Sequence, residues 1–233
     1  LTVIDLRKEF KKAVLDYFSS NYFHGLTPNP CVICNREIKF GLFLDAILGA
    51  GMEKMATGHY ARITCGNKRC RLLAGTDPKK DHSYFLSRLC QKQLSRILFP
   101  LGEWNKDEVY QLVEKHGFDN FRGQESQDVC FLKNNSVAGY LEKAGQSDNH
   151  AGHIISTDGT LLGTHRGLYR YTIGQRRGLG ISSSAPLYVV GLDQKNNNVI
   201  AGSNDDLLRK NIKVKVISIN PEAGKISLSM ILD

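Results

Sequence analysis

The sequence contains no run of about 20 consecutive apolar residues, which a helix needs to cross a bilayer. Residues 1–12 mix polar and apolar side chains, which is not the pattern of a secretory signal peptide. There is also no long block of like charges, no internal repeat and no low-complexity tract. These absences argue against a membrane-spanning or secreted protein, a basic tail and a repeat array, so we expect a cytoplasmic globular protein.

The chain has 233 residues, of which 41% are hydrophobic, and this is enough for one large domain or two smaller ones. Its net charge is +8, with a sequence pI near 9.2. A basic balance favours a polyanionic partner, because neutralising phosphates releases counterions. On charge alone, a nucleic-acid partner and an incidentally basic surface both stay open.

Six cysteines carry most of the chemical information: Cys31, Cys34, Cys65, Cys70, Cys90 and Cys130. A chain of this length without a secretory signal does not need a disulfide scaffold, so catalytic or metal-binding thiols are the better interpretation. The Cys31-x-x-Cys34 pair by itself has three interpretations: structural zinc, thioredoxin-like redox and catalytic sulfur chemistry. Zinc would need Cys65 and Cys70, whose spacing is wider than usual. A proline-rich loop before Cys31 counts against a thioredoxin-type site.

Local patterns predict alternating helices and strands in the first half of the chain. Apolar residues at helical spacing predict a helix that starts near Asp5 as N-cap and ends by Gly25. Pro28 and Pro30 then predict an extended loop, followed by a helix from about Arg36 to Leu48. A short strand over 54–57 should follow. This alternation predicts a parallel α/β sheet.

The next segments predict a hairpin, a long helix and a capped helix. Residues 61–64 and 71–73 flank a Gly-Asn-Lys turn, and 81–98 have a helical pattern. Asn105 and Glu108 have the spacing of a capping box, and Gly117 should end the helix that follows.

After about residue 148 the pattern becomes β-rich, with turn signals at Asp158-Gly159 and at residues 196–198. We therefore predict a boundary between Lys133 and Gly152. The predicted domains are 1–135, a small β-rich domain over 136–205, and the start of a C-terminal β-barrel over 206–233.

Two segments of the chain carry distinctive cysteine motifs. One is Thr-Pro-Asn-Pro-Cys-Val-Ile-Cys-Asn over 27–35, followed by Glu-Ile-Lys-Phe over 37–40; the other is Glu-Ser-Gln-Asp-Val-Cys-Phe over 125–131. Both resemble the cysteine motifs of the tRNA-specific 2-thiouridylases, the MnmA family. The resemblance implies that Cys34 and Cys130 are the catalytic pair, and that Cys130 carries a persulfide. Asp128 would be a structural hydrogen-bond acceptor. The family often has Asp at the position of Cys31, so Cys31 is not the expected nucleophile. A disulfide with Cys34 or a metal-ligand role stays open for Cys31.

Further motifs occur in the family's order and imply binding roles. Gly58, at a predicted strand end, would approach the nucleotide, although a tight turn explains it equally. The positions of Asn29, Pro30 and Cys31 would face the target base.

Two other segments imply tRNA contacts: Lys80, Asp81 and His82 in one, and Arg176 and Arg177 in the other. The family has Gln where this chain has His82, which weakens a specific role there. A capped helix and a solvated basic loop are the respective alternatives.

The resemblance implies a PP-loop ATPase-type fold and ATP-dependent 2-thiolation of the wobble uridine in tRNA. ATP, with Mg²⁺, would activate the C2 oxygen, and the Cys130 persulfide would deliver sulfur. Cys34 would attack Cys130 or release sulfide, leaving a Cys34–Cys130 disulfide. Lys39 and Arg36 would lower the pKa of Cys34. A persulfide-relay protein would donate the sulfur, and the enzyme would act as a monomer.

The family's Ser-Gly-Gly-x-Asp-Ser phosphate loop is absent from these 233 residues, which start at Leu1 rather than Met. We therefore expect a fragment, a trimmed protein or a truncated relative that binds ATP poorly on its own. Two alternatives follow: a non-catalytic tRNA-binding relative, and an RNA-binding module organised by zinc.

Overall fold

The computed structural model describes residues 1–118, 129–132, 136–144 and 151–207, together with the backbone of two strands at 214–220 and 225–230. The chain divides into two compact units, Leu1–Ser147 and Asp148–Asp233. The predicted domain boundaries at 135/136 and 205/206 stay predictions.

The first helical stretch confirms the predicted N-terminal helix. It consists of α1 (Arg7–Phe10), a π-helical segment (Lys11–Leu15) and α2 (Asp16–Phe23). Leu6, and not Asp5, occupies the N-cap position, while an Asp5 carboxylate oxygen accepts the Arg7 N–H at 3.1 Å. Gly25, with φ 61°, follows the helix end as predicted.

The second helical stretch begins six residues earlier than predicted. It consists of α3 (Pro30–Ile33), a π-helical segment (Cys34–Leu42) and α4 (Phe43–Gly49). Proline is tolerated at the first helical position because its missing N–H would have no intrahelical partner there. The Asn29 side chain caps this start by accepting the N–H groups of Cys31 and Val32. The predicted loop over the cysteine pair is therefore wrong.

A glutamine from another segment completes the backbone hydrogen bonding of this helix. Gly41 leaves helical dihedrals (φ −96°, ψ −105°). The Gln93 side-chain amide donates to the carbonyl of Arg36 at 2.9 Å and to that of Phe40 at 2.8 Å. The irregular helix is thereby tied to the segment that follows the hairpin.

The sheet of the first unit is small, and part of it is parallel. Strand β1 (Met55–Ala56) pairs in parallel with β4 (Ile97–Leu98), which confirms parallel pairing in an α/β unit. The predicted hairpin is also confirmed, as β2 (Ala61–Cys65) and β3 (Cys70–Ala74) pair antiparallel.

The continuous helix predicted over 81–98 is wrong. This segment forms a 3₁₀ turn (Ser83–Leu86), the short helix α5 (Gln91–Leu94) and strand β4. The Gln91 side chain bonds the backbone N–H and carbonyl of Cys70, so tertiary contacts override the local helical pattern.

The core of the first unit lies between the second helical stretch and these strands; its buried members are Phe40, Leu44, Met55, Ala61, Leu86 and Ile97. The unit also contains α6 (Lys106–Lys115), with the predicted capping box at Asn105 and Glu108, and α7 (Val137–Lys143). Gly117 has φ 79° just after α6, as predicted. In the part of the chain described, no helix has the length and apolar content to cross a membrane.

The second unit is a small β domain, as predicted. Its strands β5 (Gly152–Ser156), β6 (Leu161–His165), β7 (Tyr188–Asp193) and β8 (Asn198–Gly202) form one sheet in the order β6-β5-β8-β7. Short 3₁₀ turns lie at Leu168–Arg170 and Asp205–Leu207.

The predicted turns lie between β5 and β6 and between β7 and β8. Strands β9 (Val214–Asn220) and β10 (Lys225–Met230) form a separate antiparallel pair. The described strands form no closed barrel, and the barrel assignment of 206–233 stays a prediction.

Candidate functional site

Both predicted catalytic cysteines line one pocket of about 730 Å³ in the first unit. Cys31 lines it as well, so three free thiols face the same space. Asn29 and Pro30 also belong to the wall. The pocket therefore brings together five of the residues that the cysteine motifs singled out.

The helix start positions Cys31 and Cys34. Because Asn29 caps the first turn and Pro30 opens it, Cys31 lies in that turn and Cys34 follows one turn later. Both side chains are half-buried, whereas Cys130 is exposed. A loop over 26–29, and not a strand, precedes this helix start, so the argument against a thioredoxin-type site still applies.

An aromatic cluster holds Cys130 beside the helices, although the two motifs are far apart in the sequence. Phe131, its neighbour, packs edge-on against Phe18 with 5.1 Å between ring centroids, and against Phe10 at 6.3 Å. The Tyr140 ring also packs against Phe131, tilted by 51° and with 5.2 Å between ring centroids. Residues 119–128 lie outside the described part, so the predicted role of Asp128 has no structural counterpart here.

Burial dominates the electrostatics of the thiols. It raises the pKa of Cys34, while the nearby Lys39 ammonium opposes it and the neighbouring thiols add to it. Burial also raises the pKa of Cys31, and the charge of Cys130 adds to this. The expected lowering of the Cys34 pKa is therefore wrong in its net direction. Lys39 acts in the expected sense, but Arg36 pairs with Glu37 at 3.1 Å instead.

Two histidines form part of the pocket wall. Burial, Lys39 and His82 lower the pKa of His59 to about 4, and burial is the main cause of the lowered pKa of His82. The Tyr60 N–H donates to His82 Nδ1 at 3.2 Å, so the neutral His82 ring carries its proton on Nε2. Both rings are neutral at pH 7, and His82 presents one N–H donor.

Sequence reasoning missed several wall residues. Phe10, Val14, Tyr84 and Phe85 give the pocket its apolar side, and no sequence signal distinguishes them from core residues. Asn35 is 5% exposed and donates from Nδ2 to the Phe85 carbonyl at 3.3 Å. Its Oδ1 has no hydrogen-bond partner among the described residues.

Gly58 lies near the carboxyl end of β1 and is exposed. A Cβ atom there would meet only Leu101 Cδ1, at an ordinary 3.7 Å. The strand end is thus open to a ligand such as a nucleotide, but no neighbour of Gly58 requires glycine. Its nucleotide-binding role stays a prediction.

The predicted tRNA contacts are spread over both units. Asp81 accepts the N–H groups of Gly75 and Ser83 and the Ser83 hydroxyl, which explains it as a turn residue. Lys80 neighbours it without lining the pocket. Arg176 and Arg177 are exposed in the second unit, where Arg176 borders a loop concavity of about 700 Å³.

The proposed four-cysteine zinc site does not form. Cys65 and Cys70 are joined as a disulfide across the β2–β3 hairpin, away from Cys31 and Cys34. Among the residues that the structure describes, no group of three or more His, Cys, Asp or Glu side chains is placed to hold a metal ion.

Two family models match the chain in sequence order. The model described as the tRNA methyl transferase HUP domain matches residues 1–134, and the one described as the tRNA methyl transferase PRC-barrel domain matches residues 138–203.

Curated relatives carry a more specific name. The tRNA-specific 2-thiouridylase MnmA of Desulfotalea psychrophila is 56% identical over 217 residues, which are 93% of this chain and 63% of that protein. The same-named protein of Syntrophomonas wolfei is 47% identical, covering 91% of this chain and 63% of that protein. That of Geobacter metallireducens is also 47% identical, with 88% and 56% covered.

The chain spans roughly three fifths of the length of these relatives. The matched regions include the first cysteine motif, Cys130 and the β domain. On these matches and on the pocket that unites the two cysteine motifs, the chain belongs to the tRNA-specific 2-thiouridylase (MnmA) family.

Proposed function

We propose that the protein carrying this chain forms 2-thiouridine in tRNA, at the wobble uridine. The observation that supports this most is the common pocket of Cys34 and Cys130, because sulfur delivery needs one thiol to carry sulfur and another to release it. The pocket volume of about 730 Å³ is large enough for a flipped nucleobase.

Cys130 is the thiol to which we assign the persulfide. It is exposed, so a sulfur-donor protein has access to it, whereas Cys34 is half-buried. The terminal sulfur of the Cys130 persulfide attacks C2 of the uracil, and the activated oxygen leaves. The Cys34 thiolate then attacks Cys130 Sγ, which breaks the bond to the transferred sulfur and forms a Cys34–Cys130 disulfide. Two thiols are oxidised, and the sulfane sulfur is reduced to the thiocarbonyl.

ATP, when bound with Mg²⁺, supplies the AMP group that turns the C2 oxygen into a leaving group. In this chain we assign Gly58 to the nucleotide, because its strand end is open and has room beside the backbone. The apolar wall of Phe85, Phe131 and Val14 excludes water from the base and from the sulfur.

The remaining assignments concern tRNA. Asn29, Pro30 and Cys31 lie on the pocket wall and face the base in this proposal, and His82 offers its Nε2–H to the base. Lys80 and, in the second unit, Arg176 with Arg177 are assigned to the phosphates of the tRNA backbone, in keeping with the net charge of +8. Asp81 is assigned to the same contact region as the residue that shapes the turn beside Lys80. A monomer and a cytoplasmic location stay predictions.

The test is thiolation by the purified full-length protein with ATP, Mg²⁺, a sulfide donor and unmodified tRNA. Product tRNA is retarded on a mercury-containing gel. We expect an ATP-dependent signal that Cys34→Ser and Cys130→Ser each abolish. Cys90→Ser is the matched control, because Cys90 is a free, exposed cysteine outside the pocket. Activity that persists in either pocket variant would refute the assignment, and intact tRNA binding without any thiolation would favour a non-catalytic binder.

A further inference from the structure

The pocket contains one more free thiol than the proposed reaction uses. Cys31, Cys34 and Cys130 all line it. The charge of Cys130 raises the pKa of both Cys31 and Cys34, and that of Cys31 raises the pKa of Cys34, so the three groups lie within electrostatic reach of one another. The other free cysteine of the described residues, Cys90, lies outside this pocket. Cys31 therefore needs an explanation.

The geometry of the helix pairs Cys31 with Cys34. They are three residues apart with helical backbone between them, and Cys34 itself has φ −57° and ψ −45°. In a helix this spacing separates the Cα atoms by about 5 Å, which is inside the range for disulfides. The Asn29 cap holds the Cys31 N–H at 3.1 Å and so fixes the turn from which Cys31 projects.

We propose that Cys31 is a third reacting thiol, which attacks Cys34 Sγ in the Cys34–Cys130 disulfide and releases Cys130 as a free thiolate. This inference rests on the proposed function, because that reaction generates the disulfide. The step is a thiol–disulfide exchange: the Cys31–Cys34 bond forms, the Cys34–Cys130 bond breaks, and the Cys31 proton goes to solvent. No outside oxidant or reductant takes part.

As a consequence of this exchange, the three thiols have different roles. Cys130 is exposed and receives sulfur. Early release of Cys130 as a thiolate allows the donor to reload it while Cys31 and Cys34 are still joined as a disulfide. An external reductant then returns Cys31 and Cys34 to thiols. Because burial raises the pKa of Cys31, little thiolate is present at neutral pH, and the exchange should speed up as the pH rises.

One experiment measures the exchange without tRNA. The full-length protein is equilibrated in glutathione redox buffers, quenched with acid, alkylated and mapped by peptide mass spectrometry. We expect Cys31–Cys34 as the main disulfide of the pocket, with Cys130 alkylated. In Cys31→Ser, the Cys34–Cys130 disulfide should become at least about tenfold more abundant, because the neighbouring competitor is gone. Cys90→Ser should match the wild type, and Trp104 fluorescence checks that each variant is folded.

A second arm measures turnover. In the thiolation assay, Cys31→Ser should lower the rate of later turnovers relative to the rate of its own first turnover, because Cys130 stays locked in its disulfide. The ratio of the two rates is the readout, since Cys31 also faces the base and its replacement can change the first turnover itself. The proposed exchange is overturned if Cys31–Cys34 is not the main disulfide in the redox buffers. That holds whether the main disulfide is Cys34–Cys130 or Cys31–Cys130, or whether no disulfide forms in the pocket. Loss of thiolation in the wild type would instead refute the proposed function, while the redox arm would still decide how the thiols pair.

Discussion

Mild acid should weaken the first unit through His59. Its ring packs against Phe40 and Phe99, each with 5.6 Å between ring centroids, and its Nδ1 lies 2.8 Å from Thr57 Oγ1. The pKa of His59 is lowered from 6.5 to about 4, mainly by burial. Between these values the unfolded chain binds more protons than the folded one. The stability contributed by neutral His59 is thus complete above pH 6.5 and is lost as the pH falls towards 4.

The magnitude follows from the two pKa values. Between pH 7 and pH 5, a pKa of 6.5 in the unfolded chain and about 4 in the folded chain corresponds to a loss of about 1.8 kcal/mol in unfolding free energy. Because the ring is only partly buried, solvent screens part of the cost of its charge. We therefore expect a loss of about 1 kcal/mol.

The assay compares the wild type with His59→Gln in urea unfolding at pH 7 and pH 5. The single tryptophan of the sequence, Trp104, lies in the first unit, so its fluorescence reports on that unit. Acidification should cost the wild type about 1 kcal/mol more than the variant. His82, whose pKa is also lowered, is present in both proteins, and its contribution cancels. Equal pH dependence in the two proteins would refute the argument.

Two further predictions concern packing and the reactive thiol. Gly102→Ala should lower the unfolding free energy by about 1–3 kcal/mol in urea, because its Cβ would overlap a neighbouring backbone carbonyl oxygen. Gly49→Ala is the control, because Gly49 lies in α4 with nothing within 4 Å of the added atom, and this change should be neutral or slightly stabilising. Equal losses of unfolding free energy in the two alanine variants would contradict the prediction. Lys39→Met should slow the alkylation of Cys34 at pH 8, because the charge of Lys39 favours the Cys34 thiolate. Arg36→Met should leave the rate unchanged, because Arg36 pairs with Glu37. Mass spectrometry of the alkylated peptide measures both rates, and equal rates in the two variants would contradict this prediction.

The elements that the sequence predicted correctly depend on short-range chemistry. The Asn105–Glu108 capping box and the β2–β3 hairpin need only a few consecutive residues, and both are confirmed. Gly25 and Gly117 have positive φ where helices were predicted to end. In each case the residues that determine the geometry are also the residues that adopt it.

The two errors in the first unit have a different origin. The prolines predict a loop up to the cysteine pair, but at the first helical position proline is compatible with a helix, and Asn29 supplies the cap. Over 81–98 the apolar spacing fits a helix, yet Gln91 and Gln93 bond the backbone of other segments. Contacts with residues distant in sequence determine the structure of that segment, and the local periodicity of apolar residues carries no information about those contacts.

In the candidate site, too, short motifs predict some features, while contacts between distant segments determine the others. The motifs around Cys34 and Cys130 identified the two thiols, but the pocket that holds them is built by helices whose contribution has no sequence signal. Phe10 and Val14 read as an ordinary amphipathic helix, and they become pocket wall only because Phe131 packs on that helix.

The pKa of Cys34 is a further property that the folded structure determines and the local sequence does not. In the sequence, Arg36 and Lys39 both lie near Cys34, and counting charges predicts a lowered thiol pKa. In the structure Arg36 faces Glu37, and burial outweighs the attraction of Lys39, so the pKa of Cys34 is raised. In the proposed reaction the Cys34 thiolate is the nucleophile, so deprotonation of Cys34 would be part of the cost of that reaction. In the proposed reaction, the pocket that shields the sulfur from water therefore also disfavours the thiolate that releases it, and the charge of Lys39 opposes this effect.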